Sequence, residues 1–249
     1  MSTERALVTG ASHGLGLALA TRLAAEGHTV TGVGSRPASE IGEVPFGYVQ
    51  ADLARPDTHA GIVTELGGAV DLVVHSAVRY SPAGRAPTFT EHEEILRVNA
   101  LAPYHLTLGL LAAQPEDRPC TVVMVNSESM FHADRDAAPY AASKAALRLL
   151  TAGLAEACRS RPIAVATLLL GPLDDDQKQA DLRRVAEKLN LPLADVTRRF
   201  LRKSNPDLVI DHLIAYEACL RSIRYIADLG RTANGMVLRL DGGSAGSLI

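Results

Sequence analysis

A short apolar run, then clustered glycines, then helical periodicity: this order near the amino terminus restricts the fold more than any other part of the chain. Arg5–Thr9 reads as a buried strand, Thr9-Gly10-Ala11-Ser12-His13-Gly14-Leu15-Gly16 as a turn, and residues 17–25 as a helix. That sequence of elements points backbone N–H groups and a helix amino terminus at one spot, where a dinucleotide pyrophosphate can be received. Gly10 suits the tight turn, Gly14 the close approach of phosphates, and Gly16 the packing of helix on strand. A glycine trio alone is weak evidence, since turns collect glycine anyway. Its place in the first strand–helix unit gives it weight.

The alternation continues. Strands are expected at 28–33, 46–50, 70–74, 121–125, 163–170 and 235–240, separated by helical patterns. This predicts an α/β fold: one doubly wound, Rossmann-type sheet of about seven mostly parallel strands with helices on both faces. Residues 1–249 read as a single dinucleotide-binding and catalytic domain without repeats or a second core, with a substrate lid segment within 172–206. In that region helices are expected over 174–190 and 192–203, and a longer one over 207–229. Thr90 and Glu93 have capping-box spacing for a helix that carries Asn99 and bends at Pro103.

Composition narrows the function. With 47% apolar residues and a net charge of −3, the chain can bury a large core and lacks the basic excess of a nucleic-acid binder. Cys120, Cys158 and Cys219 are far apart and have no metal-ligand spacing, so they read as reduced packing residues of a cytoplasmic protein. Neither a secretory signal nor an apolar run of the roughly 20 residues that span a bilayer is expected.

The second expected strand leads into Gly34-Ser35-Arg36-Pro37, with no acid between Thr29 and Ser39. An Asp or Glu there would favour NAD, whereas a cation accommodates the extra phosphate of NADP, so Ser35 and Arg36 favour NADP. The competing reading of Arg36 is a solvated loop arginine. His13 is either a polar contact beside that phosphate or incidental. Asp52, before Leu53, either meets an adenine amino group or caps a turn. Asp174-Asp175-Asp176 is read as a helix amino terminus favoured by the macrodipole, ahead of a substrate-facing role.

Tyr140-Ala141-Ala142-Ser143-Lys144 opens a long helical pattern, and residues four apart share a helix face. A neighbouring ammonium favours phenolate and so brings a phenol nearer to acid–base work. Ser127 stands at the carboxyl end of the fifth expected strand, the end at which open α/β sheets bind ligands.

Taken with Asn99, Gly171-Pro172 and Asp241-Gly242-Gly243, these residues resemble the short-chain dehydrogenase/reductase family in its compact single-domain form. The resemblance implies that Tyr140 exchanges a proton with the substrate, Ser127 hydrogen-bonds the reacting oxygen, Lys144 holds the nicotinamide ribose, and Asn99 helps anchor a water. It implies a cofactor cleft that includes Ser12, Leu15 and Leu53, with Ser76 and Ala77 on one side and Gly171, Pro172 and Leu173 on the other. The implied activity is NADPH-dependent reduction of a ketone or aldehyde by a homotetramer or homodimer. The alternatives are a cofactor-binding regulatory protein or a non-redox enzyme on the same scaffold. Two stretches depart from the family pattern: His75-Ser76-Ala77-Val78 retains only the alanine of the usual turn, and the threonine expected soon after Gly171-Pro172 is missing.

Overall fold

Successive side chains of a strand point to opposite faces, so in β1 (Arg5–Thr9) Ala6 and Val8 enter one core while Leu7 enters another. The computed structural model describes residues 4–82, 84–131 and 137–244. Along the chain follow α1 (Gly14–Ala25), β2 (Thr29–Gly34), α2 (Ala38–Ile41), β3 (Gly47–Gln50), α3 (Asp57–Leu66), β4 (Leu72–His75) and α4 (Phe89–Leu96). Next come α5 (Ala102–Ala113), β5 (Cys120–Ser127), α6 (Ala138–Ala157), β6 (Ile163–Leu170), α7 (Asp176–Leu189), α8 (Leu193–Ser204), α9 (Tyr216–Leu229) and β7 (Val237–Leu240).

The strands form one seven-stranded sheet in the order β3-β2-β1-β4-β5-β6-β7. Every pairing is parallel, where the sequence pattern had suggested mostly parallel. Parallel strands need crossovers that cover both faces, which is why β6, Ile163–Leu170, is buried along its whole length. Leu19 and Leu23 of α1 and Ile223 and Ile226 of α9 close one core. Ile62 of α3, Leu106 of α5, and Leu147 and Leu154 of α6 close the other. Cys120 and Cys158 lie in the second core and Cys219 in the first, all as buried thiols. The direction of the chain reverses between β1 and β4, so a crevice opens at their carboxyl ends.

Four expectations change. The capping box is built by Thr88 and Glu91: Glu91 N donates to Thr88 Oγ1 at 3.3 Å and Thr88 N to Glu91 Oε2 at 2.8 Å. Thr90 and Glu93 have the same spacing, but Arg85 forms a two-pronged pair with Glu91, which fixes the earlier start. The helix then widens into a π turn over Arg97–Leu101, just ahead of Pro103, whose ring cannot continue a regular helical ladder. Because helix runs through that turn, Phe89–Ala113 is long and apolar enough to cross a membrane by length and composition alone, contrary to the sequence expectation. Its α5 portion is packed into the second core.

Helix α9 begins at Tyr216, nine residues later than the expected start at 207. In the intervening stretch Asn205 Oδ1 accepts from Asp207 N at 3.0 Å, Val209 N donates to Gly242 O at 2.9 Å, and Ile214 N donates to Pro172 O at 2.9 Å. Backbone donors engaged in this way are lost to a helix. Finally, α7 and α8 share a small core of their own, formed with residues 208 and 213 around Leu182, Val196 and Leu201.

Candidate active site

A cleft of about 1190 Å³ runs along the carboxyl ends of the central strands, from the glycine turn to the α7–α8 segment. This exceeds the usual range of about 300–1,000 Å³ for small-molecule pockets, leaving room for a dinucleotide and a second reactant. Every residue that the sequence marked for cofactor contact lines it: Gly10 to Gly16 apart from Ala11, then Ser35 and Arg36, Asp52 and Leu53, Ser76 and Ala77, and Gly171 to Leu173.

At the glycine turn, Gly10 has φ +76° and Gly14 φ +56°, the left-handed region that other residues rarely adopt. A Cβ on Gly16 would collide with the Gly10 carbonyl and stand 2.7 Å from Ser76 Oγ, so Gly16 lets α1 close onto β1 and β4. Gly14 is open toward the cleft, with the Tyr216 hydroxyl the nearest atom, 3.5 Å from where its Cβ would project. Among the described residues no side chain caps α1, so its first-turn N–H groups keep their capacity for an anion. These features fit a dinucleotide pyrophosphate.

Beyond β2, the Tyr48 hydroxyl donates to the Arg36 carbonyl at 2.7 Å and fixes the backbone of that loop. His13 shares a 3.2 Å hydrogen bond with Ser12. Burial first, and the Arg36 charge second, lower the pKa of His13, so at neutral pH the cation at this end of the cleft is Arg36. Asp52 Oδ1 accepts from Ala54 N at 3.0 Å and so caps a turn at the edge of the cleft.

Ser127, Tyr140 and Lys144 meet at the middle of the cleft. Strand β5 delivers Ser127 and the first turns of α6 deliver Tyr140 and Lys144. Ser127 stands close enough to the phenol to influence its ionisation, and its Oγ donates to Ser129 Oγ and accepts from Ser129 N, both at 3.2 Å. Lys144 Nζ is buried, donates to Val125 O at 3.0 Å, and lies 5.9 Å from the centroid of the Tyr140 ring. Asn126 braces the group: its Nδ2 donates to Lys144 O at 3.1 Å while its Oδ1 accepts from Ser127 N at 2.8 Å.

Electrostatics here runs opposite to the sequence expectation for the phenol. Burial raises the Tyr140 pKa, Tyr80 and Glu128 raise it further, and only the nearby Ser127 hydroxyl opposes them. Burial lowers that of Lys144 to about 8. Desolvation disfavours whichever form is charged, so Tyr140 is a neutral phenol with a proton to give.

Asn99 stands behind the cleft wall. Its carboxamide accepts from Arg79 N at 2.7 Å and donates to Arg79 O and Ser143 Oγ, both at 2.9 Å. Ser143 Oγ in turn donates to Tyr140 O at 2.6 Å, so Asn99 reaches the first turn of α6 through a side-chain relay. His75, which breaks the family pattern, has a structural place: its ring Nε2 meets Thr107 Oγ1 at 2.9 Å. The Thr107 hydroxyl donates to Pro103 O, so His75 must be the donor and is neutral, with its pKa pushed down to about 3 by burial.

A family model for the short chain dehydrogenases matches residues 4–185. The chain belongs to this family. Among its relatives, an uncharacterized oxidoreductase of Bacillus subtilis (strain 168), YvaG, is 27% identical over 251 residues, covering 96% of this chain and 95% of its own. The 3-oxoacyl-[acyl-carrier-protein] reductase FabG of Vibrio harveyi is 29% identical over 199 residues, 75% of this chain and 81% of its own. A short chain dehydrogenase from Burkholderia cenocepacia J2315, solved in complex with NADP, superposes with a TM-score of 0.77 at 26% identity, covering 97% of this chain and 98% of that one. Family membership makes the protein an oxidoreductase by class.

Several cleft residues had no sequence signal strong enough to single them out. Tyr80 stacks on Tyr140 with ring centroids 5.1 Å apart and planes tilted by 34°. It follows β4 by a few residues, on the ligand-binding side of the sheet. Asp175, read as a helix cap, does accept from Lys178 N at 2.8 Å, and it also lines the cleft. Tyr216 and Glu128 complete the lining near Gly14 and Ser127.

Proposed function

We propose that this protein is an NADPH-dependent reductase of a ketone or aldehyde. The observation that carries the reading is the meeting of the neutral Tyr140 phenol, Ser127 and the buried Lys144 in the cleft that the glycine turn also lines. Bound along Gly10 to Gly16 and Arg36, the nicotinamide dinucleotide would supply the hydride. Ser127 would orient the carbonyl oxygen and stabilise the charge that develops on it. Tyr140 would give that oxygen its proton, and Lys144 would hold a ribose beside the phenol. Asn99 would keep the first turn of α6 in place through Ser143.

NADP is favoured by Arg36 and by the NADP complex of the Burkholderia relative. Reduction is favoured by the likeness to the Vibrio protein, a 3-oxoacyl-[acyl-carrier-protein] reductase. The same reading makes the protein a cytoplasmic homo-oligomer that takes a small carbonyl or alcohol. Its support is the three buried thiols and the apolar side chains that α6 and the preceding helical run leave exposed at Leu149, Leu101 and Leu108.

The test is NADPH oxidation across a panel of ketones and aldehydes by the parent and Tyr140→Phe. Turnover is expected in the parent, and a fall of about 10²- to 10⁴-fold in a folded variant that still binds NADPH. Full turnover in that variant would overturn the assignment.

A further inference from the structure

Residue 128 sits between Ser127 and Ser129 in the turn that ends β5, and it is a buried glutamate, 7% exposed. Burying a carboxylate next to Ser127 is costly unless partners hold it. One such partner comes from 77 positions along the chain: Asn205 Nδ2 donates to Glu128 Oε2 at 3.1 Å. Asn205 directly follows α8, is 5% exposed, and also donates to Ser244 Oγ at 2.7 Å. Its Oδ1 accepts from Asp207 N at 3.0 Å. A single carboxamide thus joins the catalytic turn, the end of the α7–α8 segment and the loop after β7.

The surroundings show what this junction controls. Helices α7 and α8 have their own small core and contribute Gln177, Lys178, Phe200 and Ser204 to the cleft wall. After Asn205 the chain is stitched to its neighbours by Val209 N to Gly242 O and by the bridge between Leu173 and Ile214. The α7–α8 unit is therefore anchored at both of its ends. Asn205 is the anchor that reaches the catalytic turn itself.

We infer that Asn205 is a positioning residue: its carboxamide latches the α7–α8 lid onto Glu128 and thereby fixes the Ser127 turn and the closed cleft in one arrangement. The role in turnover rests on the proposed reductase function. The latch itself does not, and it is tested separately.

The test exchanges the two groups. In Asn205→Asp a carboxylate faces Glu128, so the latch breaks. In the double variant Asn205→Asp/Glu128→Gln, the new amide on residue 128 donates to the new carboxylate, which also accepts from Ser244 Oγ and Asp207 N. Hydrogen exchange on the full chain without cofactor or substrate is expected to accelerate about tenfold over residues 193–204 and 127–130 in the single variant and to return to the parental rate in the double variant. Carbonyl reduction is expected to follow: kcat about tenfold lower in the single variant, and recovered in the double. If Asn205→Asp does not fold, the double variant still decides, because only a latch predicts that it folds with parental protection.

Unchanged exchange in the single variant, or no recovery in the double, would overturn the latch. A parent that reduces no carbonyl, with exchange behaving as stated, removes the reductase reading and leaves the latch standing. Exchange as stated with a parental kcat in the single variant removes the positioning role.

Discussion

The Lys144 ammonium, 5.9 Å from the centroid of the Tyr140 ring, gives its hydrogen bond to the Val125 carbonyl at 3.0 Å. No carboxylate lies within ion-pair distance of it among the described residues. A buried charge held in this way costs stability. Its pKa of about 8, against 10.5 for a free lysine, corresponds to about 3 kcal/mol at neutral pH, where both the folded and unfolded forms are protonated. Lys144→Met removes that cost and also leaves the Val125 carbonyl without its donor, an opposing effect of about 1–3 kcal/mol. The melting temperature should therefore stay within a few degrees of the parent or rise, while reductase turnover falls by about 100-fold or more. A large drop in melting temperature would show that the ammonium is structural.

Glu128 bears on the same phenol. Its negative charge makes Tyr140 harder to ionise. Glu128→Gln keeps an oxygen to accept from Asn205 and removes that charge. In the proposed function Tyr140 is the base of alcohol oxidation, so the rate is expected to rise with pH as the phenol ionises. Removing the charge lowers the phenol pKa, and the rising limb of kcat/KM for oxidation should move to lower pH by about half a unit or more. A limb that stays in place would mean that Glu128 does not act on the phenol electrostatically.

His75 makes a stability prediction independent of activity. Its folded pKa is about 3 and the ordinary value is 6.5, so between those limits the unfolded chain binds a proton that the folded chain refuses. The contribution is whole above about pH 6.5 and is lost as the pH falls toward 3, with a limiting slope of about 1.4 kcal/mol per pH unit. His75→Gln retains a donor for Thr107 and cannot take up the proton. Urea unfolding between pH 7.5 and 4.5 should give a steeper loss in the parent than in this variant, and parallel curves would refute the neutral buried imidazole.

What the sequence made legible was local. Strand β6 was readable to the residue because it is an uninterrupted apolar run, and Tyr140 and Lys144 because four positions on a helix fix a shared face. The capping box was ambiguous because Thr88/Glu91 and Thr90/Glu93 have one spacing, and only the pairing of Arg85 with Glu91 distinguishes them. The start of α9 departs from the apolar pattern because Val209 and Ile214 give their N–H groups to Gly242 and Pro172, partners far away in sequence. Glu128 and Asn205 carry no local signal for the same reason. Their meaning lies in a contact across 77 positions that no window of sequence contains. The lysine neighbour alone implies a more acidic phenol, whereas burial dominates the acidity of Tyr140.

In the proposed function, Arg36 is the residue that selects NADP over NAD. It lines the cleft beside Ser12 and Ser35, its carbonyl is fixed by the Tyr48 hydroxyl at 2.7 Å, and no carboxylate forms an ion pair with it among the described residues. Its guanidinium is therefore available to a phosphate that NADP carries and NAD lacks. A charge-assisted hydrogen bond of this kind is worth about 1.5–3 kcal/mol, or about 10- to 150-fold in affinity. Titration calorimetry on Arg36→Ala should show NADPH weakened by that factor while NADH changes by less than about threefold. The NADPH loss should shrink as salt is raised, because the contact lies at the open end of the cleft. Equal weakening of both cofactors would place Arg36 outside phosphate recognition and return the preference between them to the backbone of the glycine turn.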